Sequence, residues 1–425
     1  MDRDEAIAWV DAHAWRGVKP GLDRMEGIAA LLGDPHEGYP IVHVAGTNGK
    51  TTVARLASAI LLGQGVNTGT FTSPHLHTIE DRFQVGLEPV GPDAFGDLVA
   101  EVQPIVDLYE DRMGEGPTYF ELTALLAFTH FTNQAVDAAV VEVGLGGRLD
   151  ATNVATGDVA VVTSIGLDHT EYLGDDLASI AAEKVAIAKE GSILVSGHLA
   201  PEAEAVVASR AEELGLPWFA AGRDFHVDDA REAVGGWVVD VSGIHATYPE
   251  LFLPLHGRHQ IDNLAVAVAT AEAFFGRALA HEDLLEAVAV VSNPGRLEVV
   301  AHDPLVLVDG AHNAGGIDVA VAAAREEFAV GTWAVVFAAM EDKDLDTMLA
   351  GLDGFADEVF TTSVDAHRSA APEVLAAKAR EVLSVPVTAH ADPREALEAA
   401  RKSAGQDGGV LVAGSLYLVG ALTLR

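Results

Sequence analysis

Ile41-Val-His-Val-Ala-Gly-Thr-Asn-Gly-Lys-Thr-Thr52 is the segment from which the architecture of the chain can be inferred. It joins a short apolar strand, a turn bounded by glycines and the beginning of a helical pattern. The backbone N–H groups of such a loop and the dipole of the helix that follows favour a bound phosphate. Lys50 can reach the outer phosphates, and the hydroxyl of Thr51 or Thr52 can complete a magnesium shell. The segment therefore predicts a site for a nucleoside triphosphate with Mg²⁺. The predicted phosphate loop consists of Gly46, Thr47, Asn48, Gly49, Lys50, Thr51 and Thr52.

The spacing within this loop departs from the common phosphate-loop pattern. Only Thr47 and Asn48 separate Gly46 from Gly49, whereas the common pattern is Gly-x-x-x-x-Gly-Lys. The alternative is a glycine turn that closes an ordinary strand–helix unit. Because the strand, the loop and the helix follow one another in the order that phosphate binding requires, the sequence favours the nucleotide site.

The composition is that of a globular protein with a strongly acidic surface. The chain has 425 residues, 49% of them hydrophobic, and this length suggests two or three domains. Its 64 acidic and 26 basic residues give a formal net charge of −38. Such a charge repels phosphate, which argues against nonspecific binding of nucleic acid. It also suits a cytoplasm of high salt concentration, so a halophilic source is a hypothesis.

Other classes of protein are excluded by what the sequence lacks. Because there is no cysteine, disulfides, thiolate nucleophiles and cysteine-based metal sites are excluded. Residues 1–5 are acidic, and no apolar run reaches the length of about 18 residues that a membrane span needs. We therefore expect a cytoplasmic protein with no membrane partner.

Three further predicted strands end in polar side chains. These strands lead to Ser73, to Glu142 and to the pair Asp168-His169. The carboxyl ends of parallel strands share one edge of a sheet, which is where open α/β sheets bind their ligands. Carboxylate, hydroxyl and imidazole groups at that edge suit a magnesium ion or an activated water molecule.

Each of these side chains also has a structural alternative. Ser73 precedes Pro74 and can be a turn residue, and His169 can be an ordinary hydrogen-bonded histidine. Glu142 can form a buried salt bridge with Arg148. For Glu142 the functional interpretation is favoured, since a carboxylate at the tip of a strand buried on both faces is hard to explain by structure.

A lysine lies in the centre of the apolar face of the helix predicted over residues 177–190. That face consists of Ile180, Ala181, Val185, Ile187 and Ala188. A buried ammonium group, here that of Lys184, must pair with an acid, extend to water or lose its charge. A neutral amine can also add carbon dioxide and become a carbamate. From the residues alone, a paired or solvent-reaching Lys184 is favoured.

The C-terminal part of the chain predicts a second, smaller parallel sheet. The segment Asn293-Pro-Gly-Arg296 breaks a helical pattern and is the predicted hinge between domains formed by residues 1–293 and 297–425. Before the hinge, Asn263 can cap a long helix or contact a base or ribose. The predicted fold class is α/β: a mostly parallel sheet domain with a phosphate loop, then a smaller Rossmann-like domain that closes on the nucleotide.

Several short segments along the chain, taken together, indicate a protein family more specifically than any one of them does alone. They are His43-Val-Ala-Gly-Thr-Asn-Gly-Lys50, Thr72-Ser-Pro-His-Leu76, Phe120-Glu-Leu-Thr123, Val141-Glu-Val-Gly-Leu-Gly-Gly-Arg-Leu-Asp-Ala-Thr-Asn153, Asp168-His169, His259-Gln260, Pro294-Gly-Arg296, Asp309-Gly-Ala-His-Asn313 and Gly414-Ser-Leu-Tyr417. In this order and approximate spacing they resemble the motifs of the folylpolyglutamate synthase/dihydrofolate synthase family of the Mur ligase superfamily. The resemblance runs from about Leu22 to the C-terminus and implies a first domain of the Mur ligase central-domain type.

The resemblance implies roles for particular residues. Lys50 matches the phosphate-loop lysine, and Lys184 resembles a lysine that is carbamylated in this superfamily and helps to hold a second magnesium ion. The other implied magnesium ligands are Ser73, Glu142, His169 and either Thr51 or Thr52. The implied nucleotide contacts outside the loop are Asn263, Arg296 and Asp309. Glutamate binding is implied for His312 and Ser415, and binding of the pterin region for Asp150. The residues expected to act in catalysis are Lys50, Glu142, His169, Lys184, Asp309 and His312.

The implied activity is that of an ATP-dependent amide ligase with Mg²⁺ at two sites. L-Glutamate would be joined to dihydropteroate, or to the last glutamate of tetrahydrofolate, through an acyl phosphate. The implied partners are these small molecules, and the resemblance favours a monomer.

Two alternatives remain open at this point. The family usually has Gly-Ser after the loop lysine, whereas Thr51-Thr52 is the form seen in muropeptide ligases, so a Mur-type ligase for a non-folate acceptor is one alternative. Against it, the residues before the loop leave no room for an additional substrate domain. The other alternative is a P-loop ATP-binding protein without ligase chemistry, which leaves Glu142, His169 and Lys184 unexplained.

Overall fold

The chain forms two compact units in the computed structural model, which describes residues 1–17, 19–366 and 368–423. The first unit comprises Met1–Arg231, Val238–Leu253 and Ile261–Val291. The second comprises Glu232–Trp237, Pro254–Gln260 and Ser292–Arg425. Two short segments that precede the predicted hinge therefore belong to the second unit. The functional division of the chain at residues 293–297 stays a prediction.

The first unit is built on an eight-stranded, mostly parallel sheet. Its strands are β1 (Ile41–Ala45), β2 (Thr68–Phe71), β3 (Phe83–Val85), β4 (Glu88–Pro89), β5 (Ala138–Glu142), β6 (Val159–Val162), β7 (Ile193–Ser196) and β8 (Trp218–Ala220). They lie in the order β4-β3-β2-β5-β1-β6-β7-β8, with β3 and β4 added in antiparallel fashion at one edge. The strand before the phosphate loop is thus central, between β5 and β6.

Helices cover this sheet and leave its central strands buried. Up to residue 291 the helices are α1 (Arg3–Asp11), α2 (Asp23–Leu31), α3 (Lys50–Gly63), α4 (Pro92–Met113), α5 (Tyr119–Asn133), α6 (Thr170–Leu173), α7 (Leu177–Val185), α8 (Pro201–Leu214), α9 (His259–Phe275) and α10 (His281–Ala289). Short 3₁₀ helices lie at Ala14–Arg16, Pro35–Glu37, Ile79–Arg82 and Ala151–Val154. Every residue of β1 and β5 is buried, as expected for apolar strands that need cover on both faces.

A three-stranded antiparallel excursion interrupts the strand–helix alternation. It consists of β9 (His226–Ala233), β10 (Gly236–Ser242) and β11 (Thr247–Leu253), in the order β11-β10-β9. The charged residues of β9 are largely exposed. None of the described helices combines the length and apolar character needed to cross a membrane.

The second unit contains a six-stranded sheet. Its strands are β12 (Glu298–His302), β13 (Leu305–Val308), β14 (Trp333–Phe337), β15 (Glu358–Thr361), β16 (Val387–Ala389) and β17 (Gly409–Ala413), in the order β12-β13-β17-β14-β15-β16. All neighbouring pairs are parallel except β12 and β13. The helices are α11 (Ala314–Glu327), α12 (Leu345–Ala350), α13 (Pro372–Val382), α14 (Pro393–Ala404) and α15 (Leu416–Thr423).

The predicted fold class is confirmed: both units are α/β, and the phosphate-loop sheet precedes a smaller α/β unit. One helix is shorter than predicted. α7 ends at Val185 rather than at residue 190, because the N–H groups of Ile187 and Ala188 turn back to the carbonyls of Lys184 and Val185. This tighter turn redirects the chain so that it can enter β7.

Candidate active site

The motif-bearing strands are neighbours in the first sheet. β2 pairs with β5, β5 with β1 and β1 with β6, all in parallel. Their carboxyl ends therefore place Ser73, Glu142, the phosphate loop and the Asp168-His169 pair along one edge of the sheet. After β1 the chain crosses to β2 on one side of the pair β5-β1, whereas after β5 it crosses to β6 on the other side. Open α/β sheets bind their ligands at such a reversal of strand order.

The phosphate loop is held by the segment that follows β6. The N–H of Thr47 donates to the carbonyl of Ser164 at 2.8 Å, and the N–H of Asn48 donates to the Ser164 hydroxyl at 3.0 Å. Thr163 Oγ1 donates to the carbonyl of Asn48 at 2.6 Å. The Lys50 ammonium group donates within the loop, to the carbonyls of Gly46 and Thr47 at 3.0 and 3.1 Å. These contacts couple the loop to the strand that leads to His169.

The loop also lies against the side chain of Asn263. Gly49 has a φ of 82°, and a Cβ atom added to it would lie 2.5 Å from Asn263 Oδ1. A side chain at residue 49 would therefore be strained in its backbone and would collide with the amide. Asn263 lies within α9 and does not cap it, since α9 begins at His259. The capping interpretation of Asn263 is wrong, and a nucleotide contact stays a prediction.

Glu142 lies at the end of β5 with only 1% of its surface exposed. Thr51 Oγ1 donates to its two carboxylate oxygens at 2.9 and 3.1 Å, and the N–H of Ser73 donates to Oε2 at 3.0 Å. Thr52 is buried within α3. The alternative salt bridge is wrong, because Arg148 pairs instead with Glu183 at 2.8 Å.

His169 is held in an unusual backbone conformation. Its φ of 50° lies in the left-handed region, which is uncommon for a residue with a side chain and is often found at functional sites. Its N–H donates to Asp168 Oδ1 at 2.9 Å, and α6 begins directly after it. About a third of the imidazole is exposed. The conformation turns the chain sharply at the end of the segment that follows β6.

Lys184 is buried on the apolar face of α7, as predicted, with 5% of its surface exposed. Burial and the charge of Lys50 lower the pKa of its ammonium group to about 7, against the opposing effect of Asp168 and Asp150. No salt bridge of Lys184 occurs among the described residues, so the paired interpretation is not supported. A substantial fraction of this amine is therefore neutral at neutral pH.

Close backbone packing brings the glycine-rich loop after β5 onto the helix that carries Lys184. A Cβ atom on Gly147 would lie 2.5 Å from the carbonyl oxygen of Glu183 and 2.9 Å from that of Lys184. The N–H of Arg148 donates to the same Glu183 carbonyl at 2.9 Å. Glycine is thus required at residue 147 for the loop and α7 to touch.

The residues at this edge fit a hard divalent cation. Within the described part of the chain no group of three His, Cys, Asp or Glu side chains could hold a metal ion. The donors that do meet are a buried carboxylate and a hydroxyl, Glu142 and Thr51, with Ser73 beside them. Proteins often hold Mg²⁺ with only a few oxygen donors, because substrate phosphates and water complete its coordination shell. The donors at this edge match that pattern. The assignment of Thr51, Thr52, Ser73, Glu142, His169 and Lys184 as metal ligands stays a prediction.

Asp150 is buried, and its carboxylate closes the glycine-rich loop. Oδ2 accepts the N–H of Leu145 at 2.9 Å, and Oδ1 accepts the N–H and the hydroxyl of Thr152 at 3.0 and 2.5 Å. Burial raises the pKa of this carboxyl group, against the effect of these hydrogen bonds. Asp150 thus has a structural role in the loop, and its contact with substrate stays a prediction.

In the second unit, Asp309 organises the end of β13. Its carboxylate accepts the N–H of Leu297 at 2.8 Å and of Ala311 at 2.7 Å. Burial raises the pKa of Asp309, whereas the charge of Arg296 lowers it. Arg296 and the carboxylate are therefore close in space, as their predicted shared role in nucleotide binding requires.

The loop that follows β13 also meets the end of β17. The N–H of Gly414 donates to the carbonyl of Ala311 at 2.9 Å, which places Ser415 next to the loop of His312. His312 Nδ1 lies 2.9 Å from the carbonyl oxygen of Gly310, so Nδ1 is the donor. Ser415 is buried and directly precedes α15. The structure thus brings together the two second-unit segments for which glutamate binding is predicted.

Two family models match the chain, the Mur ligase middle domain over residues 44–271 and the Mur ligase glutamate ligase domain over residues 295–416. A dihydrofolate synthase/folylpolyglutamate synthase of Mycobacterium tuberculosis (strain ATCC 25618 / H37Rv) is 37% identical over 381 residues, which cover 86% of this chain and 78% of that protein. The protein of the same name from Bacillus subtilis (strain 168) is 33% identical over 426 residues, covering 99% and 98%. The chain belongs to the folylpolyglutamate synthase/dihydrofolate synthase family.

Solved structures agree with this assignment. A structure described as Mycobacterium tuberculosis folylpolyglutamate synthase complexed with ADP matches with a TM-score of 0.94 at 33% identity, covering 99% of this chain and 98% of that one. The resemblance of the motifs to the folylpolyglutamate synthase/dihydrofolate synthase family is thereby confirmed.

Some residues that shape the site of this folylpolyglutamate synthase/dihydrofolate synthase family member were not predicted. Thr163 and Ser164 hold the phosphate loop, Thr152 donates to Asp150, and His43 forms a hydrogen bond with Thr152. Hydroxyl side chains just after a buried strand were the available signal for Thr163 and Ser164. No pattern in the sequence pairs His43 with a residue more than 100 positions away.

Proposed function

We propose that the chain is an ATP-dependent ligase that joins L-glutamate to dihydropteroate, to the terminal glutamate of tetrahydrofolate, or to both. The observation that supports this most is the meeting of the Lys50 loop, Glu142 and the buried Lys184 at one sheet edge, in a chain of this family. A solved relative is complexed with ADP, which supports binding of a nucleotide by this chain.

The chemistry requires two negatively charged reactants to meet. A carboxylate oxygen of the acceptor would attack the γ-phosphorus of ATP, giving an acyl phosphate and ADP, and the amine of glutamate would then displace phosphate. Lys50 would offset the repulsion and stabilise charge on the transferred group. Bound magnesium, held by Thr51, Ser73 and Glu142, would supply further charge neutralisation and orient the phosphates.

The remaining predicted residues would bind and orient. Asn263, Arg296 and Asp309 are proposed to contact the nucleotide, while His312 and Ser415 are proposed to hold the incoming glutamate. Nδ1 of His312 donates to the carbonyl of Gly310, which fixes the orientation of the imidazole ring in the proposed glutamate site. A neutral imidazole can accept a proton from the ammonium group of glutamate, and the amine formed in this way can then attack the acyl phosphate.

Phosphate release from ATP, measured with glutamate and a panel of acceptors, tests this function. We expect release with dihydropteroate or tetrahydrofolate, dependent on both glutamate and acceptor and equal to the amide formed. Release with a muropeptide acceptor would favour the Mur-type ligase. ATP binding without any glutamate-dependent release would favour a binding protein without ligase chemistry.

Lys184 is proposed to carry a carbamate that helps to hold the second magnesium ion. Its lowered pKa leaves neutral amine available for carbon dioxide, and its surroundings contain the cation Lys50. We expect Lys184→Ala to lose activity by about 100-fold, as for removal of a metal ligand or its support, with partial rescue by bicarbonate or a small carboxylate. The matched control is Lys184→Arg, which keeps the charge, cannot form the carbamate and should not be rescued.

A second measurement tests the carbamate proposal without relying on enzyme activity. Carbon-13 NMR of the enzyme in ¹³C-bicarbonate should show a carbamate signal that is absent from Lys184→Arg. An unmodified Lys184 under these conditions would contradict the proposal.

We further propose that the enzyme works in the cytoplasm of a halophilic organism. A net charge of −38 destabilises the folded chain by self-repulsion, which salt screens. We expect the midpoint of thermal unfolding to rise by several degrees as KCl is raised from about 0.1 M to about 1 M, over which the Debye length falls from about 10 to 3 Å. An unfolding midpoint that does not depend on salt would contradict this proposal.

A further inference from the structure

His43 is a fully buried histidine in β1, the strand that leads into the phosphate loop. Its Nε2 atom lies 2.8 Å from the hydroxyl oxygen of Thr152, and that hydroxyl lies 2.5 Å from Oδ1 of Asp150. Asp150 in turn accepts the N–H of Leu145 through Oδ2. A continuous chain of hydrogen bonds thus connects β1 with the glycine-rich loop that follows β5.

The direction of these hydrogen bonds follows from the groups involved. The Thr152 hydroxyl has one hydrogen and donates it to the carboxylate of Asp150. His43 must therefore donate from Nε2, which leaves Nδ1 without hydrogen. Nδ1 is buried and has no hydrogen-bond partner in the described part of the chain. Burial lowers the pKa of His43 to about 3, so the ring is a neutral, one-sided donor at working pH.

A purely space-filling role does not account for this side chain. The neighbours of His43 in β1 are aliphatic, and an aliphatic residue would fill the same volume without burying an unpartnered nitrogen, which is costly. The cost is offset only if the Nε2 hydrogen bond matters. Lys189 also holds the 3₁₀ helix Ala151–Val154, which contains Thr152, through hydrogen bonds to the carbonyls of Asn153 and Ala155 at 2.6 and 2.8 Å.

We infer that His43 is a positioning residue for the acceptor substrate. By donating to the hydroxyl oxygen of Thr152, His43 keeps the hydroxyl hydrogen of Thr152 directed at Asp150. This hydrogen bond in turn stabilises the shape of the glycine-rich loop. This inference rests on the proposed function and on the role that the family resemblance implies for Asp150, binding of the pterin region of the acceptor. Loss of the donor frees the Thr152 hydroxyl to turn away from Asp150. The carboxylate of Asp150 is then no longer held in place in the glycine-rich loop. The phosphate loop, in contrast, keeps its contacts with Thr163 and Ser164.

The test is steady-state kinetics of His43→Leu, Thr152→Val and the double variant, with dihydropteroate or tetrahydrofolate as acceptor. We expect each single variant to raise KM for the acceptor by about 10-fold, the scale of a small misplacement of a binding group, with KM for ATP changed less than about 2-fold. The double variant should be no worse than either single variant, because both break the same chain. His43→Gln, whose amide can donate at similar reach, should recover most of the acceptor affinity.

Controls separate this inference from general damage and from the proposed function. His130→Leu removes another buried histidine of the same unit, in α5, and should leave KM for the acceptor unchanged. Asp150→Asn tests the proposed role of Asp150 directly. If Asp150→Asn leaves the acceptor KM unchanged, the proposed acceptor site is wrong. If Asp150→Asn raises it but His43→Leu does not, or if His43→Gln fails to recover it in a stably folded variant, the positioning role of His43 is wrong.

Discussion

Replacing Lys50 with alanine should lower kcat by at least about 1,000-fold, the scale on which cationic groups act in phosphoryl transfer. Lys50 begins α3, and its ammonium group donates to the carbonyls of Gly46 and Thr47 in the loop that precedes the helix. These local hydrogen bonds contribute little to the fold. We therefore expect Tm to change by no more than ~2 °C, as for a substitution outside the core. Phosphate release and circular dichroism on the same sample measure both quantities.

The control for Lys50→Ala is a lysine in the second unit. Lys378 is partly exposed and pairs with Asp346 at 2.6 Å. Lys378→Ala removes one positive charge from the same acidic chain and should leave kcat within about 2-fold, as surface ion pairs contribute little. Near-normal ligation by Lys50→Ala would show that the phosphate loop is not the site of the reaction.

Replacing Glu142 with glutamine should lower kcat by roughly 100-fold or more and raise the Mg²⁺ concentration needed for half-maximal activity. The amide keeps the shape of the side chain and one acceptor for Thr51 and Ser73, but it removes the charge that a divalent cation needs. The buried position accepts a neutral amide without a large desolvation cost, so the folded state should persist. Titration of activity with MgCl₂ measures the effect.

The control for Glu142→Gln is an exposed glutamate of the same unit. Glu213 is 65% exposed and forms only a short-range pair with Arg210. Glu213→Gln makes the same chemical change at a residue outside the proposed metal site. The Mg²⁺ dependence of this variant should equal that of the wild type. An unchanged Mg²⁺ requirement in Glu142→Gln would remove Glu142 from the proposed metal site.

The parts of the site that the sequence predicted are those that follow from strand order and periodicity. A buried apolar strand must end in a loop at the sheet edge, so Ser73, Glu142 and His169 could be assigned to one edge before their contacts were known. The position of Lys184 followed from helical periodicity, and the structure buries it as predicted. The family resemblance then supplied roles that periodicity alone does not carry.

The parts that the sequence did not predict depend on contacts between distant segments. The hydrogen bonds of Thr163 and Ser164 to the phosphate loop need the register of β1 against β6. That of His43 to Thr152 depends on how the chain returns after β5. The antiparallel strand β12 was missed because its alternation is weak, and the early end of α7 is a local turn that helical propensity does not reveal.

Isotope transfer from the acceptor to phosphate tests the ligase account most directly. An acceptor whose reacting carboxylate carries ¹⁸O is incubated with ATP, Mg²⁺, glutamate and the enzyme, and the inorganic phosphate is analysed by mass spectrometry. The account predicts one labelled oxygen in each phosphate released, because the carboxylate oxygen that attacks phosphorus leaves with it when the amide forms. Unlabelled phosphate, formed by attack of water on ATP, would contradict it.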